Sequence, residues 1–187
     1  MTDPTRVAGW GRLADGAEVT WTVAEGRRGR RWREVVAQGT TTRHALLLET
    51  DAGGWFSHLE LARADGLWTF HPEPDATLHG NHVARGETGV QHVAGWPFHQ
   101  GDALLIEGSP IALAALAWSL RTAEVGSVLE VPGIEIRLDG DLRRVPVLAV
   151  ERPDGRTWRI GDCSPFEVDA DGLPVLDGGQ RRPLEQA

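Results

Sequence analysis

Apolar and polar positions alternate through most of this chain, and in one stretch the alternation gives way to residues that are apolar on every side. Ala17 to Ala24, AEVTWTVA, puts Val19, Trp21 and Val23 on one face and Glu18, Thr20 and Thr22 on the other, which predicts a half-buried strand. Gly26 to Arg30 carries two glycines and three arginines, and WREVVAQ then returns to strand character. The pair is expected to form a hairpin with a basic tip, with Arg31 and Arg33 on one face of its second strand and Trp32 on the other. His44 to Thr50 predicts a third strand and Asp51 to Gly54 a turn. In Trp55 to Arg63, Trp55, Leu59 and Leu61 oppose Phe56, His58 and Glu60, and Asp65-Gly66 is a hairpin signal leading into LWTFH. Pro72 and Pro74 end that run. Ala76 to Ala84 predicts a strand interrupted at Gly80, and Val90 to Val93 a short one.

The exception lies within Asp102 to Arg121. Ser109 suits an N-cap and Pro110 the first helical position, so a helix of about three turns is expected near residues 110–121. Ile111 to Trp118 is apolar all round, which predicts burial on every side, and the run is too short for a membrane span of about 20 residues. Beyond it, Ser127 to Val131 reads as a strand and Pro132-Gly133 as a turn, with Ile134, Ile136 and Leu138 sharing a face. Asp139-Gly140 and Asp154-Gly155 read as hairpin turns enclosing VPVLAV, whose unbroken apolar character predicts burial on both faces. Trp158 and Ile160 belong to the next strand, followed by Phe166 to Val168 and a turn at Asp169 to Gly172. Ten to twelve strands at this spacing predict an all-β class: a curved antiparallel sheet forming an open or incomplete barrel, wrapped against one buried helix.

Composition bounds this picture. A chain of 187 residues fits one domain, and residues 1–9 and 177–187 read as loose ends. All 19 basic residues are Arg, and there is neither Lys nor Tyr. Missing side chains exclude chemistry: P-loop, pyridoxal and Schiff-base mechanisms need a Lys within the chain. A net charge of −8 argues against nucleic-acid partners. Cys163, the single cysteine, excludes an internal disulfide. With no signal-like or membrane-spanning run, the expected location is cytoplasmic, without stable membrane insertion.

Candidate chemistry falls into two clusters. GRRGRRWR, Gly26 to Arg33, could grip a phosphate or carboxylate by paired hydrogen bonds, with Trp32 stacking on a ring; a solvated hairpin tip is the alternative. His71, His79, His82, His92 and His99 fall close together, with Glu73, Asp75 and Asn81 among them. His79-Gly80-Asn81-His82 suits neither helical nor strand metal-ligand spacing, because a strand sends His79 and His82 to opposite faces unless Gly80 makes a bulge. A polar lining to a ligand pocket fits better, with Trp32, Trp68 and Trp96 beside the clusters as apolar walls and Trp21 and Trp118 in the core. Asp169 to Gly172 lacks the further ligands of a calcium loop, no serine sits in a nucleophile elbow, and Cys163 has no activating neighbour.

Taken in order, Arg31-Trp32-Arg33, Leu59 to Leu61, Gly66-Leu67-Trp68, Leu78-His79-Gly80, and Val168 to Leu173 followed by Arg181-Arg182 resemble the motif series of a family of bacterial domains assigned to glycolipid binding. The resemblance covers most of the chain, though each motif is short. His79 stands where the family has an acidic residue, and GSPIALAALAWSL replaces its polar stretch. The resemblance implies an open antiparallel β-barrel, similar to lipid-carrier half-barrels, and a binding role. The expectation is therefore non-enzymatic binding of an amphipathic small molecule such as a lipid or glycolipid, in a cavity lined by Arg31, Trp32, Arg33, Trp68, His71, His79, Asn81, His82 and Trp96. No catalytic residue, cofactor or metal is expected. The alternatives are a His-dependent hydrolase or isomerase working near Glu73 or Asp75, and a structural, oligomeric interaction domain such as a homodimer.

Overall fold

The computed structural model of the chain describes residues 5–137 and 141–184. These form fifteen strands and one helix, the all-β class expected, in two compact units. The first unit is a nine-stranded sheet in the order β15-β1-β2-β3-β4-β5-β6-β7-β8. Its strands are β1 (Thr5–Arg12), β2 (Glu18–Gly26), β3 (Gly29–Gln38), β4 (Thr41–Thr50), β5 (Phe56–Arg63), β6 (Gly66–Pro72), β7 (Thr77–Ala84), β8 (Gln91–Pro97) and β15 (Asp177–Pro183). Every neighbouring pair is antiparallel, and β15 and β8 are the two edges, so the sheet is open. Successive strands joined by tight turns give a meander, as the alternating runs and turn residues predict.

One face of this sheet is buried. Val19, Trp21 and Val23 of β2, Trp32 and Val36 of β3, Leu46 and Leu48 of β4, Leu59 and Leu61 of β5, Phe70 of β6 and Leu78 of β7 all lie on it. Each such large apolar side chain contributes roughly 1.5–3 kcal/mol on leaving water. Two expectations change here. Residues near both ends pair with one another, with Ala8 opposite Arg182 and Trp10 opposite Gln180. Gly80 does not interrupt β7; the irregularity falls opposite it, in β8, where the register steps from Ala94 to His92.

The second unit is the sheet β14-β13-β12-β11-β10-β9, which curls as a half-barrel, together with α1 (Pro110–Ser119). Its strands are β9 (Ala103–Ile106), β10 (Val128–Ile136), β11 (Leu142–Glu151), β12 (Thr157–Ile160), β13 (Phe166–Val168) and β14 (Pro174–Val175). β9 and β10 are parallel, the exception in an otherwise antiparallel fold. Parallel neighbours need a crossover, and α1 supplies it, which accounts for one helix in so β-rich a chain. Ser109 caps α1 by accepting from the Ala112 N–H at 3.0 Å, and Pro110 opens its first turn. At the other end Arg121 donates to the Trp118 carbonyl at 2.8 Å, and Arg152 donates to the carbonyls of Arg121 and Ala123 at 2.7 and 2.6 Å.

Two readings in this region are corrected. Pro132-Gly133 is not a turn: β10 runs through it at a bulge, where the missing N–H of Pro132 costs no ladder bond and a Cβ on Gly133 would crowd the Ala103 carbonyl oxygen at 2.8 Å. VPVLAV is buried on one face, with Leu148 and Val150 inside and Val147 and Ala149 exposed, as an antiparallel strand with one solvated side requires. The Asp169 turn forms as expected, its carboxylate accepting from the N–H groups of Asp171 and Leu173 at 2.8 and 3.0 Å. The expected turn at Asp139-Gly140 and the placement of Leu138 lie outside the described residues.

Removing the helix cap tests the crossover. Ser109→Ala should lower unfolding free energy by about 1 kcal/mol, read as a shift of the urea midpoint at unchanged slope.

Candidate functional site

The other face of the nine-stranded sheet is graded from charged to apolar. Cross-strand partners share a face, so the register defines rows that run across the strands, spaced along each strand by about 7 Å. One row reads Trp10, Thr20, Val35, Ala45, Ala62, Leu67, Val83 through seven strands. Only Thr20 in it is polar, yet Trp10, Val35, Leu67 and Val83 are each 39–41% exposed. The next row, Ala8, Thr22, Arg33, Leu47, Glu60, Thr69, Asn81, His92, mixes both characters. The third begins Arg6, Ala24, Arg31, Glu49, His58 and continues with His71, His79 and Gly95.

Two open clefts lie on the β1–β3 side of this face. One, of about 690 Å³, is lined by Trp10, Thr20 and Val35 of the apolar row, Ala8, Thr22 and Arg33 of the mixed row, and Gln180 and Arg182 of β15. The other, of about 750 Å³, is lined by Arg6, Ala24, Arg31 and Glu49 of the charged row, the hairpin from Glu25 to Arg30, and Thr50, Asp51 and Ser57. The two are successive along the same strands: on β3, Val35 and Arg33 line the first and Arg31 the second. Gly29, at φ 125°, makes the hairpin end possible, since a Cβ there would collide with the Thr50 carbonyl oxygen.

The expected site residues divide between the two faces. Arg31 and Arg33 are exposed and line the clefts; Arg31 pairs with Glu49 at 2.6 Å, and Arg33 has no ion-pair partner among the described residues. Trp32 is a correction: it is fully buried on the opposite face, its indole N–H donating to the Thr50 hydroxyl at 3.4 Å, because adjacent strand residues point opposite ways. His71, His79 and Asn81 lie on the graded face with His92. The ring centroids of His79 stand 6.1 Å from His71 and 5.2 Å from His92, and Asn81 and His92 approach at 3.3 Å. Trp68, His82 and Trp96 belong to the other face. Trp68 stacks on His82 at 4.1 Å beneath the Arg63 guanidinium, and Trp96 pairs with Leu78. His79 and His82, three residues apart in an unbulged strand, thus diverge. No cluster of metal-ligating side chains occurs among the described residues.

Three features escaped the sequence reading. Arg6, Trp10, Gln180 and Arg182 line clefts from β1 and β15, strands that lie largely within the stretches expected as loose ends. Arg30 is buried beside Trp32, its guanidinium held by Glu25 at 3.0 and 2.7 Å. Glu34 and His44, 1% exposed each, meet at 3.0 Å inside the core face. A charge on the apolar side of an alternating strand was the available signal for both. Elsewhere, hydrogen bonding to Arg63 holds the Asp65 carboxyl below its ordinary value, while partial desolvation, with Glu135 and Asp162 nearby, pushes the thiol of surface Cys163 up.

No family model and no curated protein matches the chain. Among solved structures, the crystal structure of a DUF1089 family protein from Pseudomonas aeruginosa is similar, at 17% identity and a TM-score of 0.49, over 94% of this chain and 90% of that one.

Substitutions at two positions check the polar groups. Glu34→Ala should cost on the order of 3 kcal/mol in a urea titration by stranding His44 in the core, whereas Glu34→Gln, which keeps a hydrogen-bonding oxygen, should cost less than half of that. Because the folded-state value of Asp65 is depressed, its stabilisation is present above the ordinary 3.8 and is lost as pH falls through the lower folded value. Asp65→Asn should therefore lower stability at pH 7 by under about 1 kcal/mol, the carboxylate being 43% exposed, and thermal melts should converge with the parent's in acid.

Proposed function

We propose that the chain binds an amphipathic small molecule along the graded face of its nine-stranded sheet, without transforming it. The observation that carries this reading is the succession of the two clefts along the same strands: along β1, β2 and β3 an exposed apolar patch of Trp10 and Val35 passes within two strand positions to Arg33, and within four to Arg31, which lines the charged cleft. A ligand lying along the strands meets an apolar wall at one end and guanidinium groups at the other, the combination that fixes orientation in small-molecule sites. Exposed Trp and Val are otherwise a solubility cost, and their alignment in one row gives them a common use. The resemblance to domains assigned to glycolipid binding points the same way.

A second reading, acid–base catalysis, is favoured by one observation: His71 faces Glu73 at 2.9 Å, so that the ring has the orienting carboxylate such chemistry requires. The same binding experiment separates the two.

The test uses dodecyl maltoside, which is neutral, and dodecyl phosphate, which is anionic, both below their micellar concentrations, with affinity read by isothermal titration calorimetry. Val35→Asp should weaken both about tenfold, or about 1.4 kcal/mol, by placing a carboxylate in the apolar row. Arg31→Ala with Arg33→Ala should weaken dodecyl phosphate by a similar factor, leave dodecyl maltoside nearly unchanged and leave the thermal midpoint within a degree or two, since exposed Arg contributes little to stability. Failure of both amphiphiles to bind, or indifference to Val35→Asp, sinks the reading. A ligand recovered chemically altered in mass spectrometry would establish the catalytic one instead.

A further inference from the structure

We propose that the cleft at the β2–β3 turn is a phosphate-monoester site, with Arg6, Arg27 and Arg28 as the groups that hold it. The charges lining this cleft do not cancel. Glu25 is taken up by the buried Arg30 through two hydrogen bonds to one carboxylate oxygen, and Glu49 is taken up by Arg31. Asp51 spends one oxygen on the Trp55 N–H at 2.9 Å, closing the β4–β5 turn. That leaves Arg6, Arg27 and Arg28, none with an ion-pair partner among the described residues, against the single charge of Asp51. The cleft therefore holds an excess of two positive charges in a chain whose net charge is −8.

The three guanidinium groups are exposed, so water and salt screen much of their repulsion, and a bound anion relieves what remains. Their planar forks match tetrahedral oxyanions, giving paired hydrogen bonds to phosphate oxygens. A phosphate monoester carries close to two negative charges at neutral pH, which matches the excess, whereas a carboxylate supplies one. The placement is also built rather than incidental. Arg27 and Arg28 are the two turn residues between the paired Gly26 and Gly29, and the close approach of Gly29 to Thr50 holds that turn against the next one. Arg6 arrives from a different strand, opposite Ala24. At about 750 Å³ the cleft exceeds one phosphate, leaving room for the esterified group.

This deepens the amphiphile reading by naming the head group, and its test is separable from the test of that reading. Glycerol 3-phosphate and monomeric dihexanoyl phosphatidate are titrated calorimetrically into the full chain, with dihexanoylglycerol as the neutral counterpart. Both phosphates should bind, more weakly as salt is raised, and Arg27→Ser with Arg28→Ser should lower their affinity at least tenfold. Arg6→Ser, on another strand, should do the same, while Arg85→Ser and the binding of dihexanoylglycerol are unaffected by comparison. Circular dichroism melts check that the variants fold. Equal affinity for the two phosphates makes a soluble phosphate ester the ligand; a strong preference for phosphatidate makes it the head group of a lipid, and either supports the site. If neither phosphate binds, or the arginine variants bind as the parent does, the site is refuted. Binding of dihexanoylglycerol alone would then leave the amphiphile reading standing, and binding of glycerol 3-phosphate alone would leave the site standing without it.

Discussion

The graded outer face of the nine-stranded sheet depends on register. Side chains on a strand alternate with period two, so a slip of one residue between β2 and β3 would carry Trp32 to solvent and drive Arg31 and Arg33 into the core. The burial of Trp32, Leu48, Leu59 and Phe70 as successive partners across four strands makes such a slip prohibitive. The graded face is then the necessary complement of that core: once one side of each strand is committed, the residues between are presented outward in fixed rows. Cleft and core are two consequences of one alignment.

Polar groups inside the core face sharpen this specification. Arg30, Glu34 and His44 each have a partner, Glu25 for the first and one another for the others, and each would be stranded by a shift along the strand. Buried polar pairs rarely add net stability over well-packed apolar residues, but they penalise misalignment heavily. Arg30 also ties the core to the site. The guanidinium that lies over Trp32 neutralises Glu25, and by doing so keeps that carboxylate from cancelling Arg27 and Arg28.

Much of the fold could be read from the sequence because its signals are local. Alternation in AEVTWTVA and WREVVAQ, the Ser109-Pro110 start of α1 and the Asp65-Gly66 hairpin are contained within a few residues, and each formed as expected. The pairing of β1 with β15 was not legible, since it joins residues at opposite ends of the chain, nor was the bulge at Pro132, which only the approach of Ala103 makes sensible. For the site, period two separated Arg31 and Arg33 from Trp32 and correctly implied that His79 and His82 diverge. Proximity in sequence had nonetheless grouped Trp32, Trp68, His82 and Trp96 with residues of the opposite face. The row from Trp10 to Val83 has no trace in any single segment, because each strand contributes one member.

The union of β1 with β15 gives the first sheet a history as well as a shape. During synthesis eight strands of the meander can assemble as they emerge, yet β1 keeps one side unpaired until the whole of the second unit has been made. Throughout that interval Trp10 sits on an unprotected edge of a growing sheet, the setting in which strands recruit foreign chains. The glycines at positions 9 and 11 and the arginines at 6 and 12 flank that tryptophan, a composition poor in β-forming side chains and rich in charge. The same short strand that later walls the cleft is thus written as a poor template while it waits.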